Sequence, residues 1–326
     1  MEYDYGKKER GRSYEYYNFY EVLVADGHEV ELFDYAQRLA EVGKEQMNAD
    51  LVARAAESRP DVAVFSLYTD QLKEDAVLAI RQFTKTLCFF HDDTWRRDFS
   101  VHWAPLFDNF TSSDFEAKRK YENLGLKGLI HFPFGVNERL YKPLDVETIY
   151  DVSFVGGWHP YRAWLVNRLR KAGHNVMVAG SRWPGGIVAH DRMVEIFNQS
   201  RINLNLSNST SWDIRYLSSS PRALATHLKT RKTIEQIKAR HFEINACRAF
   251  QLSYYVDGVE RCYALGEEMA VYLDADDLLI KVDYYLKNSD LRNKLADAAY
   301  KRTIENHTYS KRFERVFGEM AIQANY

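Results

Sequence analysis

Residues 150–162, YDVSFVGGWHPYR, decide the fold class. Val152, Phe154 and Val155 give the apolar run of a buried strand, and two glycines end it. Pro160 then suits the first turn of a helix. The stretch therefore predicts a strand, a tight turn and a helix, the unit from which parallel α/β sheets are built. Glycines let a backbone approach an anion, and a helix N-terminus favours negative charge. Arg162 is placed to add a charge-assisted bond to a phosphate. A plain strand-to-helix turn with a surface arginine fits the same letters. The spacing is not GxGxxG, so a dinucleotide fingerprint is not supported.

The same alternation extends in both directions. Downstream, "NVMVAG", "INLNLS", "AFQLSYYV" and "EMAVYLD" read as strands, and residues 161–172, 193–200, 242–248, 276–287 and 290–305 read as helices. Ser289 is the expected N-cap of the last of these. A polar segment, residues 208–232, interrupts the rhythm as a loop or insertion. Upstream, "HEVELFDY", "DVAVFSL", "TLCFF", "NFTSS" and "GLIHFPFG" read as strands. Helical segments at 13–25, 50–57, 71–83 and 114–124 separate them, and a final amphipathic helix covers 312–322. The stretch "NERLYKPLDVETI" is the linker candidate. The pattern predicts two α/β halves with mostly parallel sheets, whose ligands bind beyond the strand C-termini and in the cleft between the halves.

Composition bounds the function. The 326 residues are 46% hydrophobic and 28% charged, which excludes a disordered chain. The net charge of −2 offers no field for nucleic acid, so no nucleic-acid partner is expected. Cys88, Cys247 and Cys262 form no CxxC pair and no zinc spacing, and read as reduced thiols of a cytoplasmic protein. No apolar run reaches membrane-spanning length, and the charged first residues are not a signal peptide. Peripheral membrane contact stays open.

Two further stretches carry chemistry. In "KARHFEINACRAFQL", Glu243 stands at a helix N-terminus before a buried strand, where a carboxylate accepts ribose hydroxyls. Lys238 and Arg240, just upstream, would neutralise a diphosphate. Glu235 lies eight residues before Glu243, and both face one ligand if the stretch between them is a loop. A solvated charge cluster fits equally. In "FFHDDTW", His91, Asp92 and Asp93 come directly after a strand end. His91 suits a general base, and the aspartates suit a cation or a helix cap. No GxSxG elbow, Walker A loop or histidine metal spacing occurs.

These residues together resemble the CgeB-like glycosyltransferases, a branch of the GT-B superfamily. The resemblance runs through YDVSFVGGWHPYR, IFNQSRINLNLS, KARHFEINACRAFQL and, most specifically, LGEEMAVYLDADDLLIKVDYYLKNSDLRNKLADAAYKRTIENHTYSKRF. The N-terminal half agrees more loosely, through GRSYEYYNFYEVLVADGHEVELFDY and FPFGVNERLYKP. The family usually has a Pro-x-Gly-Val-Asp turn and Phe-x-Pro in the latter.

The resemblance implies two Rossmann-like domains, an acceptor domain at 1–145 and a donor domain at 146–309, with a C-terminal helix at 310–326 crossing back to the first. It implies a nucleotide-diphosphate sugar as co-substrate, held by Gly156, Gly157, Arg162, Lys238, Arg240 and Glu243. His91 and Glu235 would be catalytic, and Asp92 would lie on the acceptor side. No metal and no other cofactor is expected, with retention of configuration. The acceptor is open between glycan, lipid-linked and protein hydroxyls.

Departures from the family are specific. Arg248 stands where the family usually has Gly, and Gly157 replaces an Arg common in the wider superfamily. The first strand with its glycine-rich acceptor loop has no counterpart before residues 4–11, DYGKKERG. Two rivals therefore stand beside transfer: a nucleotide-sugar or glycan binding protein without turnover, and a sugar-nucleotide epimerase. The product discriminates among them.

Overall fold

The computed structural model describes residues 1–91, 93, 95–206, 211–230 and 235–323. They form two compact units: Met1–Pro133 joined by the segment from Tyr309 onward, and Phe134–Thr308. The division falls between Pro133 and Phe134, whereas the sequence reading places it at 145/146.

The first unit begins with a π turn (Tyr16–Tyr20) running into α1 (Glu21–Ala25). Helix α2 (Tyr35–Ser58) starts at Asp34, whose carboxylate accepts from the amides of Ala36 and Gln37. It bends at Gly43, whose φ of 81° is left-handed. Strands β1 (Val62–Ser66), β2 (Lys85–Phe89), β3 (Asn109–Ser112) and β4 (Leu129–His131) lie side by side in that order, all parallel. Parallel neighbours need crossovers. These are α3 (Glu74–Ile80), α4 (Arg97–Trp103) and α5 (Ala117–Glu122). Met47, Ile80 and Phe110 centre one core, and Phe19, Phe89 and Phe132 centre another.

One expected strand is absent. Residues 28–34 of "HEVELFDY" are irregular, and Tyr35 already belongs to α2. Strand β1 pairs only with β2 and forms the sheet edge. An alternating sequence with no ladder to join stays extended but unpaired, and Leu32 is left exposed. The helix expected at 50–57 is the tail of the longer α2.

In the second unit, β5 (Tyr150–Val155), β6 (Val176–Ala179), β7 (Ser200–Asn205), β8 (Gln251–Tyr254) and β9 (Ala270–Tyr272) form a parallel sheet ordered 6-5-7-8-9. The order reverses at β5, which has β6 on one side and β7 on the other. That reversal is a topological switch point, where the connections part and leave a crevice at the strand C-termini. The helices are α6 (Pro160–Lys171), α7 (His190–Asn198), α8 (Ile214–Leu217), α9 (Pro221–Lys229), α10 (Arg240–Ala246), α11 (Ala275–Lys287) and α12 (Ser289–Asn306).

The polar interruption at 208–232 is thus partly helical. Asp213 caps α8, and Ser220 with Pro221 starts α9. Ser289 is the first helical residue of α12 rather than its cap. Asn288 holds the cap position, with no side-chain capping bond. The final helix, α13 (Tyr309–Gln323), returns to the first unit and buries Phe313, Val316 and Met320 there. Among the described residues, no helix is long and apolar enough to cross a membrane.

Candidate active site

The turn after β5 is locked to the turn after β6. The Gly156 amide donates to Ala179 O at 2.9 Å, and the Trp158 amide donates to Ser181 O at 2.9 Å. Trp183 is buried, and its indole Nε1 donates to Gly156 O at 2.9 Å. A Cβ on Gly180 would stand 2.2 Å from Gly156 O, so only glycine lets the two turns meet. Trp183 is therefore packing in this turn, and its ring is not free to stack on a base. His159 caps α6, its Nδ1 accepting from the Tyr161 amide at 3.3 Å.

Arg162 faces inward. Its Nη1 donates to Gly157 O at 2.8 Å, and its Nε and Nη2 donate to Leu206 O at 3.1 and 2.9 Å. It also covers the Phe154 ring at 5.1 Å. The guanidinium thus ties the C-terminal end of β5 to that of β7, across the switch point. Burial pulls its pKa down to about 10, opposed by the nearby Glu235 carboxylate and assisted by the Arg240 charge.

Arg162 thus feels the charges of Glu235 and Arg240, and Arg240 is itself paired with Glu243. Arg240 Nη1 reaches Glu243 Oε2 at 2.7 Å and Met193 Sδ at 3.0 Å, with the guanidinium over Phe197 at 5.1 Å. Glu243 is 5% exposed, and its Oε1 accepts from the Tyr141 hydroxyl at 2.9 Å. Burial and the Glu243 charge push the Tyr141 pKa well up. Lys238 holds its ammonium 5.7 Å from the Phe134 ring centre. Arg248, where the family usually has Gly, adopts a left-handed φ of 54° just past α10 and pairs with Asp297 at 2.5 Å.

Sequence reasoning missed Tyr141. It stands where the family motif has Phe before x-Pro, and the extra hydroxyl in that motif was the available signal. His190 was also missed. It sits edge-on to the Tyr141 ring at 4.7 Å and feels the charges of Glu243 and Arg240.

One buried and one half-buried imidazole make this unit acid-sensitive. Burial lowers His241 from 6.5 to about 4, and it also lowers His190. A histidine whose folded pKa lies below its unfolded value stabilises above the unfolded value, and that stability is lost as pH falls toward the folded one. His241 alone is expected to remove on the order of 3 kcal/mol between pH 6.5 and 4. In the first unit the depressed His131 is offset by Asp93, which burial raises to about 6 and which gains stability on acidification. Amide hydrogen exchange at pH 7.5 and pH 5 checks this. Protection factors, which remove the slower intrinsic exchange at pH 5, should fall in β5–β9 more than in β1–β4, and a uniform change refutes it.

In the first unit, β2 ends next to His91. Its Nε2 lies 2.7 Å from Glu15 Oε1 and 2.8 Å from Ser66 Oγ, and Ser66 Oγ donates to Glu15 Oε1 at 3.0 Å. The Glu15 carboxyl is held at about 2: burial alone would raise it, but the His91 hydrogen bond and charge outweigh that. Glu15 was missed because a single acid among helical tyrosines reads as solvent-facing. Asp92 lies outside the described residues. Asp93 points inward, accepting from Ser112 and from the Tyr121 hydroxyl at 3.3 Å. Among the described residues no group of three or more His, Cys, Asp or Glu side chains could hold a metal.

Comparison with known proteins places this geometry. A family described as glycosyl transferase-like matches residues 162–318. The chain is 24% identical over 229 residues to spore protein CgeB of Bacillus subtilis strain 168, covering 68% of this chain and 70% of that protein. Among solved structures, Anabaena HepE in complex with UDP and glucose aligns with a TM-score of 0.59 at 11% identity, over 93% of this chain and 89% of that one. Sucrose-phosphate synthase from Thermosynechococcus elongatus aligns at 0.58 and 10%, over 88% and 80%. At such identities the two structures speak to the fold, which they share with this chain, while the glycosyl transferase-like match speaks to residues 162–318. The chain thus has the two-domain GT-B fold, matches a glycosyl transferase-like family over residues 162–318, and is similar to CgeB over about two thirds of its length.

Proposed function

We propose that this enzyme moves a sugar from a nucleotide-diphosphate sugar to a hydroxyl acceptor, with retention and without a metal. The observation that carries the donor side is the Gly156–Gly157 turn at the switch point, with the N-terminus of α6 and Arg162 beside it and the charges of Glu235 and of the Arg240–Glu243 pair felt there. Arg240 and Lys238 supply positive charge for the leaving diphosphate, and the amides of the α6 N-terminus add to it. Arg162 works by fixing the turn, since its guanidinium is engaged by carbonyls of the same unit.

Glu243 takes the ribose hydroxyls with the acceptor capacity its two present bonds leave. Glu235, whose charge Arg162 feels, serves the transferred sugar. His91, anchored by Glu15 and Ser66, serves the acceptor side. Most of the rate enhancement then comes from positioning and from charge stabilisation. The solved relatives with UDP and UDP-glucose support a nucleotide-sugar donor.

Thermal unfolding with UDP, GDP, ADP, CDP and dTDP, with and without Mg²⁺, tests the reading. A ligand at about 100 times its dissociation constant adds about 2.7 kcal/mol. One diphosphate should shift the wild type without Mg²⁺, and Glu243→Gln, which keeps the side-chain volume, should lose most of the shift. If no diphosphate shifts the wild type, the donor site is abandoned. If the shift needs Mg²⁺, metal independence is abandoned.

A further inference from the structure

The three most exposed large apolar side chains among the described residues cluster in one short segment. Trp212 is 81% exposed, Ile214 77% and Leu228 75%, and Leu224 adds 47%. They belong to α8, α9 and the residues leading into α8. Leu224 and Leu228 are four apart on α9 and share a face. The Trp212 ring meets the His227 ring of the same helix at 4.6 Å, so the tryptophan lies beside that face.

The segment is not loose at its inner side. Tyr216 and Ala223 are buried in the core of the second unit, and Arg222 sits 4.3 Å over the Trp158 ring. Core residues thus fix a platform whose opposite side is apolar and wet, which a monomeric surface rarely keeps without a use.

Charge selects the partner. Across 208–232 the sequence carries Arg215, Arg222, Lys229, Arg231 and Lys232 against the single acid Asp213. Arg215 is already neutralised by Asp213 at 2.7 Å and Asp276 at 2.9 Å. Arg222 and Lys229 are both exposed on α9; Lys229 follows Leu228 directly, while Arg222 turns to the inner side over Trp158. Protruding Trp, Ile and Leu side chains with a cationic border are the composition of an interfacial membrane element. An acidic protein partner would need only the border, and a second copy of this chain would bring like charge against like charge.

We propose that α8 and α9 dock the protein onto an anionic lipid surface. Trp212, Ile214, Leu224 and Leu228 enter the headgroup region, and Lys229 meets lipid phosphates. The docking is reversible, because four side chains bury far less than a spanning helix does.

Co-sedimentation with vesicles of phosphatidylcholine containing about 30 mol % phosphatidylglycerol tests it. The wild type should pellet with these vesicles and not with pure phosphatidylcholine. Raising salt from about 0.05 to about 0.5 M should weaken binding roughly tenfold. The variant Trp212→Ser/Leu228→Ser should lose at least about tenfold in partition. Lys229→Gln should lose about fivefold, the worth of one cation near an anionic surface. These positions are exposed, so circular dichroism should report unchanged folding. Wild type that stays in the supernatant at low salt overturns the proposal. So does a double variant that binds as well as wild type. A wild-type dimer that the double variant dissociates, with no vesicle binding, assigns the face to a second copy instead.

Discussion

Gly180→Ala is expected to cost at least about 4 kcal/mol of stability, the range reserved for substitutions that force backbone apart. The added Cβ would stand 2.2 Å from the carbonyl oxygen of Gly156 and 2.6 Å from its carbon. Both obstacles are main chain, so no rotamer change relieves them. Gly180 also holds a φ of 132°, which an alanine adopts only under strain. The control is Gly186→Ala, which shares a positive φ of 66° but would meet nothing within 4 Å. It should cost only about 1–2 kcal/mol, the left-handed penalty alone. Urea unfolding of both variants separates overlap from strain. Equal losses would show that the two turns can part freely, and the locked crevice would be wrong. Because Gly156 sits in the candidate donor turn, any folded Gly180→Ala protein should also bind nucleotide more weakly.

Glu243→Ala should lose about 3 kcal/mol, at the low end of the cost of breaking a buried ion pair on one side. The carboxylate satisfies Arg240 at 2.7 Å and the Tyr141 hydroxyl at 2.9 Å. Its removal leaves a partly buried guanidinium and a buried hydroxyl unpartnered, and burial of such groups without bonds is what costs. Tyr141→Phe deletes only one bond and should cost about 1 kcal/mol. The double variant Glu243→Ala/Tyr141→Phe should then lose less than the sum, since the hydroxyl is no longer stranded. Strict additivity in urea unfolding would mean that the two side chains do not interact, and the built cluster would fail. This ordering also explains why a glutamine, not an alanine, is the proper probe of ribose binding.

The strands, the order of elements and the switch-point turn were legible because local composition decides them. A buried parallel strand such as 150–155 is apolar whatever its neighbours, and Gly-Gly before Pro is a turn wherever it stands. Residues 28–34 alternate as a strand should, yet a strand exists only through a neighbour, and the sheet stops at β1. Side-chain direction was the other gap. Arg162 was read toward a phosphate, but two carbonyls at the ends of β5 and β7 claim it first, one of them 44 residues away in sequence. Tyr141 and Glu243 lie 102 residues apart, and Glu15 and His91 meet only because α1's approach and β2's end coincide. Such pairings are tertiary facts. The Gly-to-Arg departure at 248 shows the reverse case, since the family glycine is accounted for once φ is seen to be 54°.

The return of α13 has a consequence during synthesis. Phe19, Phe89 and Phe132 share their core with Tyr309, Phe313, Val316 and Met320, so the first unit is closed by a helix synthesised only after the whole second unit. Phe134–Thr308, by contrast, is one uninterrupted stretch. The half that is translated first therefore waits, with an aromatic face uncovered, while the half translated second already holds everything it needs to fold. Chaperone demand should centre on that interval, and a nascent chain stalled just after residue 308 should be more aggregation-prone than one extended past α13.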